Sequence, residues 1–233
     1  MAAAVQPIKT RFGTATVGAS SGQLLIHTVA NWMWVPMIMM GLMAIATSIG
    51  LGIAQANVGS DLGKEFTALR QANFETLKPL TAAFLFLGEA LVLSGIAFLL
   101  GTILGALRKG GGEVQESTGE PVKALKMPWS AKVFLALMMM GLMAEVVAFG
   151  TLTYVASQAN DAWITATSAG APGDIAALDR ASAFAAWANP LREVALALIL
   201  TSIVFALYTI SNVLGFQFSR IRELVTGQEE GAA

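Results

Sequence analysis

The run VPMIMMGLMAIATSIGLGIA, Val35–Ala54, contains 20 residues and no charge. About 20 predominantly apolar residues, wound as a helix, cross the ~30 Å hydrocarbon core of a membrane. Helices also satisfy their own backbone hydrogen bonds, as lipid requires. Three further runs have the same character, with a single acidic residue in each of the first two: Leu80–Leu107, Val133–Ala156 and Val194–Phe218. The four runs predict an all-α integral membrane protein, a four-helix bundle surrounded by the lipid bilayer.

The overall composition agrees with this prediction. Of 233 residues, 55% are hydrophobic and 12% are charged, whereas a soluble domain carries about 25% charged residues. A net charge of −1 without a basic stripe gives no sign of a nucleic-acid partner. Cysteine is absent, His27 is the one histidine, and no nucleotide loop or catalytic motif occurs. We therefore predict no cofactor and no metal site, and we favour a non-enzymatic role.

Positive charges near the span ends predict the orientation. The N-terminal segment, the middle loop and the C-terminal tail carry nine Lys and Arg, against five in the other two loops. Cytoplasmic loops are enriched in these residues. We therefore place both termini in the cytoplasm and expect the inner membrane of a bacterium. In the outer loops, Ser60 and Asp174 are expected to N-cap short amphipathic helices.

A duplication is indicated by the sequence MMGLMA, which occurs at Met39–Ala44 and again at Met139–Ala144. The likeness continues through the outer loops. It then reaches the second helices with a slip of about one helical turn, where the matched residues are Ile96, Phe98, Thr102 and Ile103 against Ile203, Phe205, Thr209 and Ile210. Two helix pairs of one orientation form a parallel tandem repeat.

The predicted organisation follows from the spans and the repeat. It consists of an N-terminal cytoplasmic or interfacial segment (1–32), a first repeat unit (33–108, spans 35–54 and 80–107), a cytoplasmic linker (109–128), a second repeat unit (129–218, spans 133–156 and 194–218) and a cytoplasmic tail (219–233). The repeat is not symmetric in its acids. Glu145 corresponds to Ile45, and Glu89 corresponds to Leu196 or Leu200, depending on the register.

Glu89 and Glu145 are the candidate proton or cation ligands. A central acidic residue costs about 2.5–3.5 kcal/mol on insertion scales, so it usually faces the bundle interior or water. The two acids are predicted at nearly equal depth and could meet between helices. Hydroxyl residues that could line the same site are Thr47, Ser48, Thr201 and Ser202. The structural alternative is a protonated glutamic acid that bonds a neighbouring helix, or an acid paired with a partner's base.

Other features favour packing over chemistry. Ala97, Gly101 and Gly105 form a small-residue ridge that allows another helix to approach closely. The methionine clusters of the first and third spans suggest adaptable packing more than copper binding, since no Cys or nearby His supports a metal. Arg192 and Glu193 are interpreted as anchors at the outer border of the fourth span.

Three functions remain open at this point, the third and least favoured being a membrane enzyme or a cofactor-binding subunit. The first is a non-catalytic subunit or scaffold in a larger membrane assembly, with other subunits or further copies of the chain as partners. The second is a small proton- or cation-coupled transporter or channel that uses Glu89 and Glu145.

Overall fold

The computed structural model describes residues 21–117, 128–168 and 170–230, with side chains from 28 onward except at 108–117, 216–217 and 219–230. Four long helices make up this part of the chain: α1 (Ser21–Leu62), α2 (Ala68–Ser117), α3 (Trp129–Trp163) and α4 (Ile175–Glu230). Each contains a segment long and apolar enough to cross a membrane. The predicted all-α architecture with four such helices is therefore confirmed.

The helices extend well beyond the predicted spans. The shortest, α3, has 35 residues, which at 1.5 Å per residue gives about 52 Å. The helix α2 continues through Gly110–Gly112, within the predicted linker (109–128), and α4 continues into the predicted tail as far as Glu230. Parts of the predicted N-terminal segment, linker and tail lie outside the described residues, as does the side chain of His27.

The expectation of separate amphipathic helices in the outer loops was wrong. Residues 68–79 and 175–190 are the first turns of α2 and α4, and these helices run on through Pro79 and Pro190. Ser60 lies in the last turn of α1 and does not begin a helix. Asp174 does act as the N-cap of α4, since the backbone N–H of Ala177 donates to its Oδ1 at 3.1 Å. A proline inside a helix removes one backbone hydrogen bond, and both helices continue past that position.

The chain divides into two compact units, and each of the four helices contributes a segment to both. The central unit consists of Val35–Gly95 and Leu137–Leu200. The terminal unit holds the described residues of Met1–Trp34, Ile96–Ala136 and Thr201–Ala233. Glu89 and Glu145 both belong to the central unit.

Small residues set the packing in each unit. In the central unit, Ala83 of α2, Leu152 of α3 and Ala188 of α4 form one buried cluster, so these three helices meet there. In the terminal unit, the Thr209 hydroxyl of α4 donates to Ser130 Oγ of α3 at 2.7 Å. The Trp129 and Phe205 rings also pack edge to face across the same two helices, with centroids 6.0 Å apart.

Candidate functional site

The contacts between α2 and α3 fix the level of Glu145 in the bundle. The rings of Phe84 and Phe149 meet edge to face, with centroids 5.6 Å apart. The two helices are antiparallel. Glu145 lies one turn before Phe149 on α3, and Gly88 lies one turn after Phe84 on α2, so Glu145 and Gly88 are at the same level. The Ala83–Leu152 contact, taken seven residues along each helix, pairs Glu145 with Ala90. Glu89 lies between these two residues and is therefore at the same level as Glu145.

Glu145 is buried between α2 and α4. Glu145 is 2% exposed, and its Oε2 atom has no hydrogen-bond partner among the described residues. A Cβ added to Gly141, one turn earlier on α3, would touch Ile199 of α4, whereas Phe149, one turn later, faces α2. Successive turns of a helix rotate by about 40°, so Glu145 falls between these two directions. A buried carboxylate without a donor is costly, and this one needs a proton, a cation or a further polar group.

Ser94 supplies a second unpartnered polar group, on the α2 face that packs against α3, about one helical turn from the level of Glu145. It is fully buried, and its Oγ has no partner in the described part of the chain. Ser94 shares the face of α2 that carries Ala83 and Ala90, which packs against the face of α3 that carries Leu152 and Glu145. Side chains lean toward the N-terminus of their own helix, so in this antiparallel pair Ser94 and Glu145 lean toward each other. The sequence analysis missed Ser94, because a lone serine in an apolar run gives no signal of its facing.

Glu89 has a different environment. Its side chain is exposed on the surface of the bundle, close to the exposed Leu85 one turn earlier. It makes no hydrogen bond or ion pair with another described residue. Glu89 lies 21 residues after the start of the candidate span Ala68–Leu107 and 18 before its end. A carboxyl group thus stands near the middle of an apolar surface, and the predicted site shared with Glu145 stays a prediction.

Arg192 and Glu193 lie at the level of Glu145 in the bundle. The ring centroids of Tyr154 on α3 and Phe184 on α4 are 4.9 Å apart. Glu145 lies nine residues before Tyr154, and Glu193 lies nine residues after Phe184. The two helices are antiparallel, so Glu145 and Glu193 are at the same level. Arg192 donates from Nε and Nη2 to Glu193 Oε1, at 3.3 and 2.9 Å. The Arg192 side chain is 29% exposed and that of Glu193 67% exposed. The helix α4 is continuous through both residues, and their anchoring at the outer border stays a prediction.

The four predicted hydroxyl residues differ in their settings. Ser48 is buried, and its Oγ donates to the backbone carbonyl of Thr81 at 2.8 Å, which joins α1 to α2. Thr47 is exposed and bonds the carbonyl of Met43 in its own helix. Thr201 is exposed and Ser202 is fully buried, and both belong to the terminal unit. The predicted ligand role of these four residues remains a prediction.

Glycines allow close contact between α1 and α2 in the central unit. A Cβ at Gly41 would lie 2.8 Å from the Gly88 carbonyl oxygen, and one at Gly88 would lie 2.8 Å from that of Gly41. This backbone approach of α1 and α2 was not predicted. Of the predicted ridge, Ala97 is fully buried, Gly101 faces Ala30 of α1 and Phe134 of α3, and Gly105 is half-buried.

The methionines that share a helix face in the copper interpretation are exposed, namely Met39 with Met43 and Met139 with Met143. Among the described residues, no group of three His, Asp or Glu side chains could hold a metal ion. Four helices long and apolar enough to cross a membrane indicate an integral membrane protein. No family model, curated protein or solved structure matches the chain.

Proposed function

We propose that this protein is a non-catalytic integral membrane subunit that packs within a larger membrane assembly through the surface of α2 around Glu89. The observation that carries the proposal is the exposed carboxyl of Glu89 near the middle of a candidate span, without a partner among the described residues. On the lipid-facing side of an isolated bundle this group would cost about 2.5–3.5 kcal/mol. A polar or cationic group of a neighbouring protein removes that cost.

The proposal extends to the membrane and the orientation. We place the chain in a bacterial inner membrane with both termini in the cytoplasm, on the distribution of Lys and Arg. The level of Arg192 supports this orientation, because an arginine within the bundle does not count as an outer-loop charge. The outer side then carries four such residues against nine inside.

The tandem repeat is also part of the proposal, and the glycine contacts support it. The Cβ position of Gly41 meets Gly88 and Val92 of α2, and that of Gly141 meets Ala195 and Ile199 of α4. Gly141 is 100 residues after Gly41. The residues that they meet, Ala195 and Ile199, are each 107 residues after Gly88 and Val92. The shift of 107 is also the one that aligns Ile96 with Ile203, and it makes Leu196 the counterpart of Glu89.

Replacement of Glu89 tests the subunit role. Affinity purification from the native membrane in mild detergent should recover partner subunits with the wild-type chain and lose them with Glu89→Leu. Glu75→Leu is the matched control, since Glu75 lies on the same helix and pairs with Lys78 near its start. If Glu89→Leu retains every partner and also increases the amount of folded protein, Glu89 faces lipid and the proposal fails.

A second candidate function is a proton- or cation-coupled transporter or channel, and the unpartnered Oε2 of Glu145 favours it. The groups on the helices around this carboxyl are the Ser94 hydroxyl and, at the same level, Arg192 with Glu193. Such an arrangement can hold a proton or a small cation between α2, α3 and α4. Intramembrane acids that face a bundle interior commonly serve proton and ion pathways.

Flux measurements decide on this second candidate. In vesicles reconstituted with the purified chain, proton or monovalent-cation flux should disappear with Glu145→Gln and decrease with Ser94→Ala. Glu89→Gln should leave the flux unchanged, because that side chain is on the outer surface. Equal flux in wild type and Glu145→Gln would remove transport through this site.

A further inference from the structure

Arg192 starts on the face of α4 that is buried in the central unit. It shares this face with Ala188, Ala195 and Ile199, each of which is 0% exposed. Glu193, the residue that it pairs with, points about 100° away, and its side chain is 67% exposed. The pair therefore joins an arginine that starts on the buried face to a carboxylate on the exposed face of the same helix.

Arg192 and Glu145 lie at nearly the same level of two closely packed helices. A Cβ at Gly141 of α3 would lie 3.3 Å from the Ala195 carbonyl oxygen of α4, so the two helices approach closely there. Glu145 is four residues after Gly141. Arg192 is three residues before Ala195. Because α3 and α4 are antiparallel, these steps go in the same direction, and the two residues differ in level by about 1.5 Å.

Both side chains have bonding capacity that the described arrangement leaves unused. Glu145 Oε2 is buried and has no partner among the described residues. Arg192 bonds Glu193 Oε1 through Nε and Nη2, and no bond to a described residue uses its Nη1 group. An arginine of α4 reaches α3 elsewhere in the same unit, where Arg180 Nε donates to Gln158 Oε1 at 2.7 Å. A guanidinium that turned from the exposed side to the buried side would reach Glu145 in the same way.

Burial decides which form of Glu145 fits the described arrangement. A carboxylate in an apolar interior without a counter-ion is far more costly than a neutral carboxyl, so Glu145 without a partner holds its proton. The charged residues at this level on the surrounding helices are Glu89 of α2 and Arg192 with Glu193 of α4, whereas Val35–Ala54 of α1 has none. Of these charged residues, Arg192 is the cation, and it starts on a buried face. The counter-ion for an ionised Glu145 is therefore within the chain.

We propose that the site at Glu145 binds a proton and that Arg192 is its exchangeable counter-ion. With the proton bound, Arg192 pairs with Glu193, as the structure describes. When the O–H bond of the Glu145 carboxyl breaks, the proton passes to water and the guanidinium turns inward to the carboxylate. This inference deepens the second candidate function, on which it rests, and names the proton as the substrate. A metal cation would meet the positive charge of Arg192 at the same level, where like charges repel strongly.

Infrared difference spectroscopy of the purified chain in mild detergent tests the exchange. Raising the pH should remove the C=O band of a protonated carboxyl and shift a guanidinium band in one common step. Glu145→Gln should remove both changes, which assigns the carboxyl. In Arg192→Gln the carboxyl band should persist through the pH range in which wild type loses it, because the anion then has no counter-ion. Glu193→Gln should lose the band at lower pH than wild type, since nothing then holds the guanidinium on the exposed side.

The matched control is Arg180→Gln, which removes another α4 arginine that contacts α3 and should leave the common step unchanged. A carboxyl band that titrates identically in wild type, Arg192→Gln and Glu193→Gln would overturn the inference. Glu193 lies on the exposed face, so its variant decides the question even where Arg192→Gln does not fold.

Flux in reconstituted vesicles separates this inference from the function on which it rests. Proton flux that disappears with Glu145→Gln, without sodium or potassium flux through the same site, supports both. Proton flux that depends on Glu145, with no shift of the guanidinium band, keeps the transport candidate and overturns the exchange. A common infrared step without flux in wild type removes transport and supports the exchange alone. Sodium or potassium flux that depends on Glu145 would overturn the assignment of a proton.

Discussion

At the scale of single residues, the level of Glu145 and Glu89 along their helices could be predicted, but the direction of their side chains could not. Spacing along each apolar run predicted two acids at one level, and the Phe84–Phe149 contact places them so. Spacing could not predict that Glu145 is 2% exposed and that Glu89 lies on the surface, because the direction of a side chain matters only once neighbouring helices pack around it. A lone polar residue in an apolar run gives no periodicity from which its direction can be read.

Removal of the buried acid should stabilise the protein. Glu145→Leu replaces an unpartnered buried carboxyl by an apolar side chain of similar size, which should raise the free energy of unfolding by about 1–3 kcal/mol. Thermal unfolding in mild detergent measures the effect. Glu145→Gln keeps the need for hydrogen bonds and should give no such gain. A loss of stability with leucine would mean that the carboxyl has a polar partner of its own.

At the scale of helices, the close approach of α1 and α2 depends on Gly41 and Gly88. Gly88→Ala should lower the free energy of unfolding by about 1–3 kcal/mol, because the new Cβ meets the Gly41 carbonyl oxygen and Ile45. Gly50→Ala is the matched control, since nothing lies within 4 Å of its Cβ position. Unfolding in detergent compares the two variants. Equal stability of both would show that the helices separate easily at this point.

The hydroxyl of Ser48 offers a second test of the same pair. Ser48→Ala removes a hydrogen bond to the Thr81 carbonyl and should cost about 0.6 kcal/mol, the average for bonds between membrane helices. Thr47→Ala should have no measurable effect, because its hydroxyl bonds only within α1 on an exposed face. Unfolding titrations of both variants check the difference. If the two variants lose the same stability, the interhelical bond contributes nothing.

Apolar length predicted the four helices but not where they end. Residues 68–79 and 175–190 carry enough polar side chains to suggest separate interfacial helices, yet each continues directly into a spanning segment. A proline such as Pro190 weakens only one position of a long helix that neighbouring helices support. The glycine contact was missed for a related reason: Gly41 and Gly88 are far apart in sequence, and only packing brings them together.

At the scale of the whole molecule, the topology can be tested without background, because the chain has no native cysteine. A membrane-impermeant thiol reagent added to intact cells should label Lys64→Cys, in the connection between α1 and α2, on the outer side. Ser117→Cys should react only after permeabilisation, because the proposed orientation places it in the cytoplasm. The reverse pattern would invert the orientation.

The most direct measurement is photocrosslinking in the native membrane from a photoreactive residue at position 85, one turn from Glu89 on the exposed side of α2. A surface covered by a partner subunit or a second copy predicts a discrete protein adduct there, which Glu89→Leu abolishes. Adducts with lipid alone, unchanged by Glu89→Leu, would contradict a subunit role for this surface.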